Sequence, residues 1–325
     1  MKDIRWGMIG CGDVTEVKSG PAFNKVPNSS LVAVMRRDGA KAKDYAERHG
    51  VPKWYDDAQQ LIDDPEVNAI YIATPPAKHE AYTLMAFAAG KPVYVEKPMT
   101  LNAASAMRMR DASLNTGVKL SVAHYRRAQP MFLKIKALLD AQEIGAVRLV
   151  QLQMFQPELS DQLANSATNW RLDPAISGGG LFHDLAPHQL DLMIFFFGEW
   201  IFASGFSLNQ SGTSLVDDLV TGQVGFKDGV VFSGSWCFSV SPQDQIDSCE
   251  IIGASGKISF QVFGHQVTVT KGGVAKVYDF SPLPHVQQPM IEQVTNYFLG
   301  QTDNPCSAGE AILSMQLMDR FTAKP

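Results

Sequence analysis

Short apolar runs recur through the first 123 residues, and helical patterns separate most of them. Runs without polar alternation are typical of strands that are covered on both faces, as in a parallel sheet. Their alternation with helices predicts βαβ units in a doubly wound sheet. Gly20 and Pro21 interrupt the first helical pattern, so we expect that helix to be short or kinked. The predicted strands are 4–9, 31–35, 69–73, 93–95 and 119–122, and the predicted helices are 40–49, 80–89 and 102–115.

The pattern changes after residue 123. Several strand-like runs between 201 and 280 are separated by glycine-containing turns, which predicts a mainly antiparallel sheet. Ser307 and Glu310 have the spacing of a capping box, so the last helix is predicted to begin there. We therefore expect an α/β protein, with a doubly wound parallel sheet in residues 1–123 and an α+β domain with a large, mainly antiparallel open sheet in residues 124–325. The other elements predicted in this part are a helix over 130–141, a strand over 147–155, a polar loop over 157–173 and a helix that ends at 198.

The composition and net charge exclude several kinds of partner and site. The 325 residues include 28 basic and 33 acidic side chains, a formal charge of −5, which argues against nucleic acid or an anionic membrane as a partner. Four cysteines without a CxxC pair indicate neither a zinc site nor a disulfide scaffold, and they favour a reducing compartment. The apolar stretches at 1–10 and 185–198 are too short for a signal peptide or a membrane span. We expect a cytoplasmic protein.

A glycine pair follows the first predicted strand in the order Gly10-x-Gly12-x-x-Thr15. Glycines at such a place allow a tight turn and let a pyrophosphate approach the amide groups at a helix N-terminus. The third position is Thr15 where Gly or Ala is usual, and a plain structural turn is the alternative interpretation. Within a βαβ pattern the motif predicts a dinucleotide site, with Gly10, Gly12, Asp13 and Val14 as cofactor-binding residues.

The residues after the second predicted strand bear on the choice between NADP and NAD. A carboxylate there pairs with the ribose hydroxyls of NAD and repels a 2′-phosphate. Here Arg36 and Arg37 come first, and a guanidinium can take a phosphate bidentately. We predict NADP as the preferred cofactor. In the alternative, Asp38 is the ribose ligand and the cofactor is NAD.

Two more motifs end predicted strands at the edge where open α/β sheets bind ligands. After the third strand we predict cofactor contacts from Thr74, Pro75 and His79, although a lone histidine there more often caps a helix. After the fourth strand stand Glu96 and Lys97. A lysine beside a nicotinamide can donate a hydrogen bond to a substrate oxygen, so Lys97 is a candidate catalytic and cofactor-binding residue.

In the second predicted domain, Asp184 and His188 are four residues apart and share one face of a helix. A histidine that titrates near neutrality is suited to general acid–base work, and a carboxylate one turn away can hold substrate. A hydrogen-bonded pair at a helix start is the structural alternative. His183 could join them in a metal site, but the positions diverge on a helix and we predict no metal.

Taken together, the GxGxxT turn, the ATPPxxH and EKP segments and the run GGG-x-x-x-D-x-x-x-H-x-x-D resemble the Gfo/Idh/MocA oxidoreductases. The motifs stand in that family's order, and the resemblance covers essentially the whole chain. It implies a Rossmann domain followed by a C-terminal α/β domain. It also implies hydride transfer between NAD(P) and a secondary alcohol or carbonyl group, usually of a sugar or cyclic polyol.

The resemblance also assigns roles to residues. Lys97 corresponds to the lysine that contacts substrate and nicotinamide, His188 to the general acid/base, and Asp184 to the aspartate that positions substrate. Glu96 corresponds to a cofactor-side glutamate, and the peptide bond before Pro98 is expected to be cis. The segments that resemble lining of the substrate pocket contribute Tyr125, Trp170 and Arg171.

The family's open sheet commonly forms an oligomer interface, so we expect a homodimer or a homotetramer. Two other functions stay open at this point. One is a non-catalytic protein that senses NADP(H), and the other is a relative that cleaves glycosides through transient oxidation with bound NAD. Retention of Lys97, Asp184 and His188 together favours the oxidoreductase.

Overall fold

The computed structural model describes residues 2–157 and 170–323, so residues 158–169 of the predicted polar loop lie outside the described part. The chain forms two compact units. Among the described residues, the first unit contains 2–128 and 283–312, and the second contains 129–157, 170–282 and 313–323.

The first unit is built on a six-stranded parallel sheet with the order β3-β2-β1-β4-β5-β6. Every residue of β4, β5 and β6 is buried, which is why their sequences are apolar except at Glu96 and Ser121. The doubly wound sheet is therefore confirmed. The strands are β1 (Ile4–Ile9), β2 (Ser29–Met35), β3 (Lys53–Tyr55), β4 (Ala69–Ile72), β5 (Val93–Glu96) and β6 (Leu120–Ala123).

The helices of the first unit begin and end at residues that the sequence marks. Asp38 caps α1 by accepting a hydrogen bond from the backbone N–H of Lys41, and Gly50 ends it in the left-handed conformation. The first helical segment is irregular, as predicted, with a π-helical turn over Thr15–Ser19 and a 3-10 turn over Gly20–Asn24. The regular helices are α1 (Gly39–His49), α2 (Ala58–Asp63), α3 (His79–Ala88), α4 (Ala103–Thr116) and, from the later segment of the chain, α8 (Gln288–Leu299).

The second unit contains an eight-stranded sheet with the order β14-β13-β12-β11-β7-β10-β9-β8. All neighbouring strands are antiparallel except β7 and β10, which confirms a mainly antiparallel sheet. The strands are β7 (Val147–Phe155), β8 (Trp200–Leu208), β9 (Leu219–Phe226), β10 (Val231–Cys237), β11 (Ile246–Gly253), β12 (Gly256–Phe260), β13 (Gln266–Lys271) and β14 (Val274–Asp279).

The described residues of the second unit also form the α-helices α5 (Pro130–Asp140), α6 (Pro174–Ser177) and α7 (Gly180–Phe197). The last helix, α9 (Ala308–Thr322), has residues in both units. It begins with the predicted capping box, since the Glu310 backbone N–H donates to the Ser307 hydroxyl oxygen and the Glu310 carboxylate accepts from the Ser307 backbone N–H.

The compact units differ from the predicted domains in two respects, because residues 124–128 and 283–312 belong to the first unit and not to the second. The physical reason for the second difference lies at the free edge of β6. There the Val122 backbone N–H donates to the carbonyl oxygen of Cys306 over 3.1 Å, and the Lys119 ammonium donates to the carbonyl oxygen of Tyr297 over 2.6 Å. The returning segment thus satisfies backbone groups that an edge strand would leave open.

Three short elements have no counterpart in the sequence prediction, namely β3, α2 and α6. Strand β3 has only three residues and none of them is buried, so it carries no apolar run. Among the described residues, no helix is long and apolar enough to cross a membrane.

Candidate active site

The turn after β1 requires glycine at one position and leaves space at another. Gly10 has φ +98°, and a β-carbon there would lie 2.9 Å from the backbone carbon and oxygen of Ala73. A β-carbon at Gly12 would meet only one atom within 4.0 Å, the carbonyl oxygen of Gly10. Gly10 therefore allows β1 and β4 to approach each other closely, and the space beside Gly12 is open.

The threonine at the third motif position has a structural explanation. The Thr15 hydroxyl donates to the carbonyl oxygen of Gly12 over 2.7 Å, and this side chain is fully buried. The carbonyl oxygen of Thr15 in turn accepts a 2.9 Å hydrogen bond from the Tyr45 hydroxyl. Asp13 and Val14 are helical residues between the turn and Thr15. The turn is thus fixed by side chains where a third glycine is usual.

An ion-pair cluster holds the helical segment after the turn. Glu16 accepts two hydrogen bonds of 2.8 Å from the Arg48 guanidinium and lies 2.8 Å from Nε2 of His49. The bonds from Arg48, with a smaller contribution from His49, lower the pKa of Glu16 to about 2. The carboxylate is therefore ionised at neutral pH, and it ties this segment to the end of α1.

At the end of β2, Arg36 bends towards the glycine turn. Its guanidinium donates to the carbonyl oxygen of Cys11 over 3.2 Å, while Arg37 is exposed. Asp38 has a different role, because its carboxylate caps α1 and lies 3.6 Å from the Lys41 ammonium. A cation, and not a carboxylate, therefore lies beside the glycine turn.

His79 is a fully buried tie between two loops. Its Nε2 lies 2.7 Å from the carbonyl oxygen of Thr74, and its Nδ1 lies 3.1 Å from that of Pro98. Burial lowers the pKa of His79 to about 4, so the ring is neutral and has a single N–H to donate. Pro75 follows Thr74 in the same loop, at the end of β4. The structure gives His79 a structural contact, and its cofactor-binding role stays a prediction.

At the end of β5, the side chain of Glu96 is buried among hydrogen-bond donors. One carboxylate oxygen accepts from the Tyr71 hydroxyl and from the Gln287 amide, each over 2.6 Å. The other accepts from the backbone N–H of Lys97 over 3.2 Å. The peptide bond between Lys97 and Pro98 is cis, as the resemblance predicted. Tyr71 and Gln287 were not found from the sequence, because no local pattern marks them.

The three glycines at the start of α7 are explained by the backbone conformation of the first and by close packing at the other two. Gly178 ends α6 with φ +90°. A β-carbon at Gly179 would lie 2.3 Å from the ring of His183, and one at Gly180 would lie 2.5 Å from Val216. Burial lowers the pKa of His183 to about 4. The backbone at Gly179 and Gly180 therefore lies too close to neighbouring side chains to admit a β-carbon. The ring of His183 is buried against this backbone and is neutral at pH 7.

In the second unit, Arg171 and Asp184 form an ion pair. The Arg171 Nε donates to Asp184 Oδ2 over 2.7 Å, and the two side chains are 6% and 17% exposed. The Arg171 guanidinium also lies 4.5 Å from the ring centroid of Trp170. His188 follows Asp184 by one turn of α7, is buried, and packs edge-on against Phe263. Sequence spacing predicted the helical pair, but not the partner of its carboxylate.

The predicted residues thus fall into two groups, one in each unit. In the first unit, the carboxyl ends of β1, β2, β4 and β5 place the cofactor candidates and Lys97 on one edge of the sheet. Tyr125 follows β6 and is buried. In the second unit, Trp170, Arg171, Asp184 and His188 are grouped near the start of α7. Among the described residues, no group of three or more His, Cys, Asp or Glu side chains is placed to hold a metal ion.

The residues on the edge of the first sheet fit a nicotinamide dinucleotide. The open space beside Gly12 admits a phosphate to the backbone of the turn, and Arg36 offers a positive charge next to it. The hydroxyl oxygen of Thr74 is buried, and among the described residues it has no hydrogen-bond partner. Such a group is satisfied when a polar ligand occupies this edge.

Comparison with known proteins agrees with this geometry. Residues 4–124 match the model of the oxidoreductase family with an NAD-binding Rossmann fold, and residues 132–259 match the GFO/IDH/MocA C-terminal domain. The chain is 48% identical over 318 residues to oxidoreductase P35 of Formosa agariphila, covering 98% of each chain. It is 32% identical over 246 residues to trans-1,2-dihydrobenzene-1,2-diol dehydrogenase of Bos taurus, covering 74% of this chain and 69% of the relative.

A solved structure shares the fold. The crystal structure of aldose-aldose oxidoreductase from Caulobacter crescentus, complexed with glycerol, superposes with a TM-score of 0.83 at 22% identity. The match covers 98% of this chain and 96% of that one. These matches confirm the family to which the sequence motifs pointed. The chain belongs to the GFO/IDH/MocA family of NAD(P)-dependent oxidoreductases.

Proposed function

We propose that this protein is an NADP-preferring enzyme that interconverts a secondary alcohol and a carbonyl group on a sugar, cyclic polyol or related small molecule. The observation that carries the proposal is the common edge of β1, β2, β4 and β5, where the glycine turn, Arg36, Thr74 and Lys97 end adjacent parallel strands. The substrate class is supported by the dihydrodiol named for the Bos taurus relative, which carries two ring hydroxyl groups.

The proposed chemistry divides the work among three side chains. When bound, the nicotinamide cofactor supplies or accepts the hydride. In the oxidative direction, His188 accepts the hydroxyl proton, and in the reductive direction it returns that proton to the carbonyl oxygen. The Lys97 ammonium donates a hydrogen bond to the same oxygen, which stabilises negative charge as it develops there. Asp184, held by Arg171 over 2.7 Å, binds a substrate hydroxyl group.

The proposed preference for NADP rests on the positions of Arg36 and Asp38, which follow β2. Arg36 points to the glycine turn, whereas the Asp38 carboxylate is engaged as the cap of α1. A guanidinium in this place favours a 2′-phosphate, and a capping carboxylate is not free to turn towards the ribose.

We also propose that the protein forms a homodimer or a homotetramer and that it is located in the cytoplasm. Strand β8 lies at one edge of the second sheet, and it exposes several large apolar side chains. They are Ile201, Phe202, Phe206 and Leu208, which are 65%, 57%, 52% and 46% exposed. Burial of such a strip against another copy of the chain removes apolar surface from water. The cytoplasmic location is supported by the four cysteines, none of which forms a disulfide in the described part of the chain.

The two motif glycines are expected to differ on substitution. Gly10→Ala should lower the free energy of unfolding by about 2–4 kcal/mol, because positive φ and a backbone clash act together. Gly12→Ala should leave stability within about 0.5 kcal/mol, yet weaken NADPH binding at least about tenfold by filling the space beside the turn. Denaturant unfolding and reduced-nicotinamide fluorescence measure the two effects. Gly90→Ala, at φ +67° with open space around it, isolates the cost of the backbone conformation. Undiminished NADPH binding by Gly12→Ala would contradict the assignment of the turn.

Arg36→Asp is expected to reverse the cofactor preference. The new carboxylate repels a 2′-phosphate and accepts hydrogen bonds from free ribose hydroxyls, so the ratio of the Kd for NADPH to that for NADH should rise at least about 30-fold. Fluorescence titration with each cofactor gives the ratio. Arg110→Asp, on the surface of α4, makes the same charge change and should leave the ratio unaltered. A ratio that Arg36→Asp does not change rules out this role for Arg36.

Lys97→Ala and His188→Ala are each expected to reduce kcat at least about 100-fold, because each removes a group that interacts with the reacting oxygen. The Kd for NADPH should stay within about threefold, since neither side chain contacts the pyrophosphate turn in the proposed site. Turnover is followed by nicotinamide absorbance with a panel of sugars, diols and dicarbonyl compounds. Wild-type turnover in both variants would be incompatible with the proposed mechanism.

Sedimentation equilibrium tests the proposed assembly. The wild-type protein is expected to have the mass of two or four chains, and Phe206→Asp to shift the distribution towards one chain by placing a charge in the apolar strip. Leu114→Asp is the matched control, because Leu114 is 73% exposed on α4 and should not change the mass. A wild-type protein that sediments as a single chain would refute the assembly.

A further inference from the structure

A buried carboxylate lies directly before the proposed catalytic lysine. Glu96 is 6% exposed, and its carboxylate accepts from the Tyr71 hydroxyl, the Gln287 amide and the Lys97 backbone N–H. All three partners present an N–H or O–H, which fits an ionised carboxylate because that group can only accept. Burial raises the pKa of Glu96 above its ordinary value, and the two side-chain donors and the positive charge of Lys97 offset only part of that rise.

The side-chain amide that donates to Glu96 belongs to Gln287, whose backbone N–H and carbonyl groups are both hydrogen-bonded. Gln287 is fully buried and forms the N-cap residue of α8. Its backbone N–H donates to the carbonyl oxygen of Lys18 over 3.2 Å, and its carbonyl oxygen accepts from the Ile291 N–H over 3.0 Å. The side chain therefore extends from an anchored backbone to the carboxylate, 191 residues away in the sequence.

Tyr71 holds the same carboxylate oxygen from the other side. Its ring packs against Phe23 and Tyr94, at centroid distances of 5.0 and 5.4 Å, and its hydroxyl oxygen lies 3.0 Å from that of Ser19. The ring cannot swing away without opening this aromatic cluster. Two side chains from distant parts of the chain thus determine where the charge of Glu96 lies.

We propose that Gln287 is a positioning residue for Lys97, because its amide holds the Glu96 carboxylate where that carboxylate binds the Lys97 N–H and balances the Lys97 charge. The inference rests on the proposed catalytic role of Lys97. It gives residues 283–312 a part in the site of the first unit, beyond covering the edge of β6.

Gln287→Met tests the proposal without reference to turnover. The variant keeps the length of the side chain but removes the amide donor, so the Glu96 carboxylate loses one of its three donors and is held less firmly as the counter-charge of Lys97. Acetylation by acetic anhydride is measured by mass spectrometry as the rate at Lys97 divided by that at Lys43, which is 57% exposed. The ratio should rise at least about threefold. Gln288→Met, one residue further and only partly buried, should leave it unchanged.

Kinetics separate positioning from cofactor binding. With any active substrate, Gln287→Met should lower kcat about tenfold, the change expected from loss of one hydrogen bond to a charged group. The Kd for NADPH should stay within about twofold, because the change acts on Lys97 and leaves the glycine turn intact. Equal losses in kcat and in NADPH affinity would overturn the proposal in favour of a cofactor-binding role.

An acetylation ratio equal to that of Gln288→Met would also overturn the proposal. If Gln287→Met does not fold, Gln287→Asn replaces it, since it withdraws the amide by one carbon and should raise the ratio in the same way. The proposed function and the positioning role of Gln287 can be disproved independently of each other. Absence of turnover by the wild-type protein contradicts the proposed function, whereas the acetylation ratio tests the action of Gln287 on Lys97 even in a protein without turnover.

Discussion

The carboxyl group of Glu96, buried at the end of β5, constrains much of the first unit. An isolated buried carboxylate costs several kcal/mol, so the fold has to surround Glu96 with donors. One donor comes from β4 through Tyr71, one from the start of α8 through Gln287, and one from the next peptide group. This hydrogen bond from Gln287 and those at the edge of β6 together tie residues 283–312 to the first unit. The need for donors around Glu96 also fixes the backbone from which Lys97 projects.

The glycine turn is constrained by contact and not by charge. Gly10 lies so close to Ala73 that a side chain at this position would clash with the backbone at the end of β4. The same approach places the turn beside Thr74, and Arg36 extends to it from β2. Residues of three strands are thereby grouped at one edge, where a parallel sheet leaves room for a ligand.

Much of the fold could be predicted from local patterns, because the central parallel strands are buried on both faces and their sequences show it. The capping box at Ser307 and the irregular helix at Gly20 were also predictable, since each depends on neighbours in sequence. Strand β3 escaped prediction because it is short and none of its residues is buried. The path of residues 283–312 was not predicted because it depends on hydrogen bonds to β6 from far along the chain.

In the site, sequence motifs predicted the candidate residues but not their hydrogen-bond partners. No local sequence pattern indicates that Gln287 donates to Glu96 or that Arg171 donates to Asp184.

Transfer of deuterium from C4-labelled NADPH is the most direct test of the central claim, that this chain moves a hydride between the cofactor and a carbon–oxygen bond. The purified protein is incubated with each of the two C4-deuterated forms of NADPH and a panel of sugars, cyclic ketones and dicarbonyl compounds. The account predicts an alcohol product that carries one deuterium on the carbinol carbon, from one of the two forms only. A folded protein that binds NADPH but yields no labelled alcohol from any member of the panel would contradict it.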